Sequence, residues 1–417
     1  MSKIVIAGGN KLEGKIRVHG AKNTVLPILA ATVLNSGKSV IHDCPDLRDV
    51  SLTLEILRYL GCTVERRGNS VFVDSSSMKN HSIPDHLMRE MRSSVIFMGA
   101  ILTRCKKAVI SYPGGCEIGI RPIDLHLKGL RQLGIKIEEA HGYINCSAEK
   151  IVGSEIHLDF PSVGATENVM LAAVMAEGTT IIRNAAKEPE INDLQDLLNT
   201  MGAKVSGAGT SIIVIEGVQT FHNVEHTVIP DRIVAATYLA AAAIAGGSVE
   251  VTNIISEHVQ PILAVLRECG CKIYVQKNSI ILSRSNPLQP IDVIRTLPYP
   301  GFPTDAQAPI MSVLTLAKGS SIVSETIFEN RFKHVEELRR MGADIKVDGR
   351  VAVIRGVKKL SGASVNSMDL RGGAALVLAG LAAEGITTVD GLHHIDRGYE
   401  KLEDSLAQLG ANIKRVD

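Results

Sequence analysis

The chain has 417 residues, a formal net charge of +1 and 45% apolar residues. That length suits two or three domains with real cores, and the near-neutral balance argues against a chain built to bind nucleic acid or an anionic membrane surface. With no tryptophan and only 3% aromatic residues, there is also little for bases or sugars to stack upon. The opening Met1-Ser-Lys-Ile-Val-Ile-Ala-Gly8 has no long apolar run, so no secretory signal is expected, and the greasiest stretch, Tyr238–Gly246, is too short to span a bilayer. Seven cysteines without metal-ligand spacing, in a chain with no secretion signal, predict reduced thiols and a cytoplasmic protein.

Along the chain, apolar helical runs recur at Leu26–Leu34, Val95–Leu102, Met170–Ala176, Ile233–Ala245, Ile310–Ala317 and Ala374–Ala383. Each precedes a β-prone run and then an amphipathic helix such as Asn192–Asn199 or Val335–Arg340. Every amphipathic helix ends in a glycine followed by a further strand, with the glycines at 61, 134, 202, 270, 342 and 410, a spacing of 68 to 73 residues. A glycine there suits the left-handed residue that ends a helix. The chain thus reads as six strand-helix-strand-helix-strand-strand repeats. The first helix of each repeat is apolar nearly all round and must be buried, which predicts an inverted α/β architecture with helices inside and sheets outside, in two domains of three repeats.

The residues ahead of the apolar helices are Lys22-Asn23, Arg92-Ser93-Ser94, Ser162 with Thr166, Asp231-Arg232, Thr304-Asp305, and Asp369 with Arg371. Capping alone accounts for Ser93, Thr166 and Thr304. A cation opposes the positive end of a helix and calls for a nearby anion, yet Lys22, Arg92, Arg232 and Arg371 stand there, and Arg121, Arg331 and Arg397 stand near the starts of amphipathic helices. This predicts an anion site assembled from several helix ends, in the cleft between two domains. Ser111-Tyr-Pro-Gly-Gly-Cys116 places a thiol on a glycine-rich loop, with Arg121 near enough to favour the thiolate.

Pro113-Gly-Gly-Cys116, Arg121-Pro-Ile-Asp-Leu-His126, Ser162-Val-Gly-Ala-Thr166, Asn184-Ala-Ala-Lys-Glu-Pro-Glu190, Pro303-Thr-Asp305, Phe328-Glu-Asn-Arg-Phe332 and Met368-Asp-Leu-Arg371 occur in that order. Together with Gly20-Ala-Lys-Asn23 and His394–Glu400 they resemble, over effectively the whole chain, the bacterial UDP-N-acetylglucosamine 1-carboxyvinyltransferases. The resemblance implies a two-domain inverted α/β barrel, with one domain of residues 22–229 and another of 1–21 plus 230–417. It implies transfer of the enolpyruvyl group of phosphoenolpyruvate to the 3′-hydroxyl of UDP-N-acetylglucosamine, the first committed step of peptidoglycan synthesis, with no metal or organic cofactor.

By the same resemblance, Lys22, Arg121 and Arg397 bind phosphate, Arg331 and Arg371 add positive charge, and Asn23 holds the hydroxyl and the intermediate. Cys116 donates a proton to C3 of phosphoenolpyruvate and is the target of fosfomycin. Asp305 takes the 3′-hydroxyl proton, with Asp369 as the competing candidate. Arg92, Arg121, Pro122, Ile123, Asp124, Leu125, Ser162, Val163 and the backbone near Ile327 hold the uridine diphosphate. Phe160 stands where some members carry a lysine, and Arg371 is followed by Gly-Gly rather than a serine-containing run. Rival readings are an enolpyruvylshikimate-phosphate synthase, which lacks the loop cysteine, and a six-repeat sliding clamp, which calls for basic residues on exposed helix faces.

Overall fold

A computed structural model of the chain describes residues 2–114, 118–119 and 122–416. These form two compact units, one built on residues 2–19 and 230–416 together with 118–119, the other on residues 20–114 and 122–229. Each has its own apolar core.

The six repeat glycines all take positive φ, between 83° and 108°, where a side chain would be strained. Each ends an amphipathic helix and turns the chain back into a sheet. The Arg48–Leu60 helix shows the pattern: Arg48, Ser51, Glu55 and Arg58 line its exposed face while Val50, Leu54, Ile56 and Leu57 are buried.

Six sheets occur among the described residues, each built on one plan. The strand that follows an inner helix pairs in parallel with a short leading strand and antiparallel with one strand of a hairpin. In the first repeat Lys38–His42 lies between Val224–Thr227, in parallel, and Ser70–Asp74, antiparallel. In the second, three strands are joined by a single parallel bridge from Ser82 to Val109. The sixth repeat ends at Asn412–Val416 without a closing strand of its own. The N-terminal Lys3–Ala7 supplies it, pairing antiparallel with both Asn412–Val416 and Ile386–Asp390. The next strand, Leu12–Arg17, leads the fourth repeat by pairing in parallel with Gly247–Thr252. The first strands of the chain are therefore structural members of the unit that holds its last residues.

The inner helices are buried on nearly every side. Asn23 is the one exposed residue of Lys22–Ala31, and Leu370–Ala382 buries all but its two end residues. Small side chains let their backbones approach. Thr304–Leu314 packs on both Arg232–Ala245 and Leu370–Ala382, and Ser312 Oγ donates to the Ala375 carbonyl at 2.8 Å. In the other unit Phe97–Cys105 packs on Lys22–Ala31 and on Val163–Ala173, where Thr103 Oγ1 donates to the Leu171 carbonyl at 2.8 Å. No helix among the described residues is long and apolar enough to cross a membrane.

Because Ile6 is fully buried in the strand that closes the sixth sheet, Ile6→Ala should cost about 2–4 kcal/mol. Hydrogen exchange should then show lost protection mainly in residues 230–416. Equal loss across residues 20–229 would contradict the strand's placement.

Candidate active site

The C-terminal unit gathers four charged side chains from three elements. Asp305 is the second residue of the Thr304–Leu314 helix, Arg331 comes from the loop after Ser320–Ser324, and Asp369 and Arg371 open the Leu370–Ala382 helix. Arg331 and Arg371 are 3% and 2% exposed, a burial that unpaired cations do not tolerate. Asp305 answers both, accepting from Arg331 Nη2 at 2.6 Å and from Arg371 Nη2 at 3.4 Å. Asp369 Oδ1 lies 3.9 Å from Arg331 Nη1 and also accepts the backbone N–H groups of Arg371 and Gly372, both at 3.0 Å.

Two arginines face two carboxylates, so the cluster is formally neutral. Burial opposes the charge of Arg371, but Tyr399, Asp305 and Asp231 outweigh it and hold its pKa above the ordinary arginine value. The Tyr399 ring lies 5.2 Å from the Arg371 guanidinium carbon. Asp305 is the accessible carboxylate, with 27% of its side chain exposed against 5% for Asp369. Arg331 Nε, Arg371 Nε and Nη1, and Asp369 Oδ2 are buried without hydrogen-bond partners among the described residues. The two guanidiniums are planar donors of the kind that suit a carboxylate or phosphate, and Asp305 is the carboxylate beside them that solvent reaches. Arg397 is half-buried, two residues past the Leu392–Ile395 helix.

The N-terminal unit holds the other described candidates. Lys22 is the first residue of a helix with no side-chain cap, and its Nζ meets Asp49 Oδ2 at 2.6 Å, both side chains buried. Asp49 supplies the negative charge that a lysine at the positive end of a helix requires. Arg92, Pro122, Ile123 and Asp124 share the wall of one cavity of about 330 Å³, with Tyr112, Arg131 and Glu139 on the same wall. Leu125 follows, half-buried, and Ser162 caps the Val163–Ala173 helix by accepting from the Ala165 N–H at 3.4 Å. Asn168 fixes His126: its Oδ1 accepts from Gly99 N, so its Nδ2 is the donor to His126 Nδ1 at 3.0 Å, and the ring proton sits on Nε2. Cys116 and Arg121, and with them the glycine-rich loop as a thiol carrier, lie outside the described residues.

The capping expectations need correction. Thr166 donates its hydroxyl to the Ser162 carbonyl, and Thr304 donates to Glu325 Oε2, so neither caps its helix. Ser93 lies inside the short 3-10 turn Arg92–Ile96, which has no side-chain cap. Asp305 is not a cap either, since Pro303 holds that position, whereas Asp231 and Asp369 do cap. Arg331 precedes its helix by four residues, and so stands outside that helix's first turn.

Sequence reasoning passed over Asp49, His334 and Glu167. An acidic residue at a helix start is so ordinary that Asp49 carried no signal. Glu167 did carry one, as the single ionisable side chain of the Val163–Ala173 helix. Burial, then Glu190 and Glu188, raise its pKa well above the usual carboxylate value. Phe160 is an apolar side chain 46% exposed and offers no charge at its position. The Gly-Gly after Arg371 has a steric reason: a Cβ on Gly372 would stand 2.6 Å from Asp369 Oδ2 and 3.0 Å from His334 Cβ.

Comparison with known proteins is consistent along the whole chain. The family model of EPSP synthase (3-phosphoshikimate 1-carboxyvinyltransferase) matches residues 6–406. UDP-N-acetylglucosamine 1-carboxyvinyltransferase 2 of Caldanaerobacter subterraneus subsp. tengcongensis is 59% identical over 416 residues, covering 100% of both chains. UDP-N-acetylglucosamine 1-carboxyvinyltransferase 1 of Symbiobacterium thermophilum is 55% identical over 420 residues, covering 99% of this chain and 95% of the relative. Among solved structures, the enolpyruvyl transferase NikO from Streptomyces tendae superposes with a TM-score of 0.90 at 25% identity, covering 100% of this chain and 99% of the other. An EPSP synthase from Acinetobacter baumannii reaches 0.76 at 19% identity over 100% of both chains, a likeness of fold alone.

His334 gives the site a pH signature. Burial pushes its imidazole down to about 4, against the partly compensating pull of Asp369 and with a further push from Arg331. The unfolded chain then binds a proton that the folded one refuses between about pH 6.5 and 4, so stability should fall as pH drops through that window, by up to about 3 kcal/mol. Denaturation midpoints measured from pH 7.5 to 4 should fall less steeply for His334→Gln; an unchanged slope would contradict the assignment.

Proposed function

Because the chain belongs to the UDP-N-acetylglucosamine 1-carboxyvinyltransferases, within the wider EPSP synthase family, we infer that it transfers the enolpyruvyl group of phosphoenolpyruvate to the 3′-hydroxyl of UDP-N-acetylglucosamine. The structural observation that supports this most is Asp305, an accessible carboxylate held by two buried arginines. The 3′-oxygen adds to C2 of phosphoenolpyruvate as C3 gains a proton, giving a ketal that keeps its carboxylate and phosphate. C3 then loses a proton, the bond from C2 to the phosphate oxygen breaks, phosphate leaves and the double bond returns.

On this reading Asp305 accepts the hydroxyl proton and Cys116 delivers one to C3. Lys22, Arg121 and Arg397 take the phosphate, and Arg331 and Arg371 take further negative charge, the carboxylate included. Asn23 holds the hydroxyl. Arg92, Pro122, Ile123, Asp124, Leu125, Ser162, Val163 and the Ile327 backbone hold the uridine diphosphate. Both units then supply groups to one pair of substrates, and the enzyme works in the cytoplasm at the start of peptidoglycan synthesis. The purified chain should release phosphate from phosphoenolpyruvate with UDP-N-acetylglucosamine and not with shikimate 3-phosphate; the reverse acceptor preference would overturn the reading.

Two substitutions test the assigned roles. Asp305→Asn keeps the shape and removes the base, so turnover should fall about 10²-fold, and the melting temperature should also drop because Arg331 and Arg371 lose their counter-charge. If it turns over like the parent, Asp369 becomes the better base. Fosfomycin should alkylate Cys116 alone. The other cysteines are poor rivals, because burial raises their pKa values, to about 12 for Cys44, Cys146 and Cys269 and about 11 for Cys62 and Cys271, while Cys105 is raised less. Mass spectrometry that places the adduct on any of these six counts against the assignment.

A further inference from the structure

Glu325 is an acidic side chain 1% exposed, and among the described residues no lysine, arginine or histidine hydrogen-bonds it. It follows the Ser320–Ser324 strand, and four neutral donors satisfy it. Its Oε1 accepts from the Thr296 hydroxyl at 2.9 Å, the Ile327 N–H at 2.8 Å and the Phe328 N–H at 3.1 Å. Its Oε2 accepts from the Thr304 hydroxyl at 2.9 Å. The load is uneven: Oε1 accepts three of the four bonds and Oε2 one.

The two oxygens serve different elements. Oε1 ties down the turn leading to Arg331, whose guanidinium carbon lies 5.9 Å from the Phe328 ring. Oε2 grips the first residue of the Thr304–Leu314 helix, immediately before Asp305. That helix has no side-chain cap, so the Thr304 hydroxyl is a polar tether at its half-buried start. Arg331 Nη2 then bonds both Asp305 Oδ1 at 2.6 Å and the Thr304 carbonyl at 3.4 Å, closing a loop of contacts from Glu325 through both arms. We propose that Glu325 is a positioning residue for the Asp305–Arg331 pair, setting where the base and its arginine stand without touching substrate. The proposal rests on the enolpyruvyl-transfer reading above.

An isolated structural role would lower stability and leave the chemical step alone, so the test reads coupling to Asp305. Thr304→Val removes the single donor to Oε2 and leaves the turn bonded to Oε1. It should lower kcat about 10-fold, with KM for either substrate moving less than about 3-fold, because a misplaced base impairs the chemical step more than binding. Glu325→Ala should lower kcat further, about 10²-fold, and Glu325→Gln should recover much of that loss, since its oxygen can keep the turn while Thr304 turns its hydroxyl to accept from the amide. In the Asp305→Asn background, Thr304→Val should cost less than about 2-fold, because the group being positioned is gone. A 10-fold loss in both backgrounds, or a Thr304→Val enzyme with the parent's kcat, overturns the inference. A parent that releases no phosphate with the two substrates overturns the functional reading itself. Should Glu325→Ala fail to fold, the Thr304→Val cycle decides alone.

Discussion

Buried positive charge is the constraint on which this structure turns. Arg331, Arg371 and Lys22 are each withdrawn from water, and a desolvated cation costs several kcal/mol unless a carboxylate or a ligand anion stands against it. Here protein carboxylates do: Asp305 for the two arginines, Asp49 for the lysine. On the proposed function, an incoming phosphate or carboxylate competes with groups already in place, and binding exchanges one counter-charge for another. Breaking such a pair by removing one partner is costly, which makes Asp49 and Asp305 matter for stability as well as for chemistry.

The fold makes such burial possible by putting backbone and small side chains at the centre. Inner helices rich in alanine and glycine pack closely on one another, and their first turns are where the charged residues gather. At those starts the unpaired N–H groups add a fixed positive field that favours anions. Asp369 shows the double use this allows: one oxygen caps its helix while the other has no partner among the described residues, and the absence of a side chain at Gly372 keeps room for that arrangement.

Much of the architecture was legible in the sequence because it rests on local rules. Six glycines at near-constant spacing announce six helix ends, and helices without a polar face announce burial. The same rules explain the errors. Thr166 and Thr304 stand within the first turns of their helices, past the cap positions, and each hydroxyl donates to a carbonyl or carboxylate within reach; only the folded chain brings Glu325 to Thr304. Asp49 and Lys22 are far apart in sequence, and nothing local marks them as a pair. The arginines were visible as cations out of place and Asp305 and Asp369 as acids at helix starts, but which carboxylate answers which arginine was not, since pairing across elements is a property of the packing. Arg331 was noticed for its place ahead of a helix; the loop it sits on and the carboxylate it meets show only in the folded chain.

The most direct test of the central claim follows hydrogen at C3. If the chain forms a ketal by protonating C3 and then restores the double bond, turnover of phosphoenolpyruvate and UDP-N-acetylglucosamine in deuterium oxide should place deuterium in the vinyl methylene of the product, seen by proton NMR or mass spectrometry. Phosphate release that yields a deuterium-free enolpyruvyl product, or no enolpyruvyl product at all, would contradict the account.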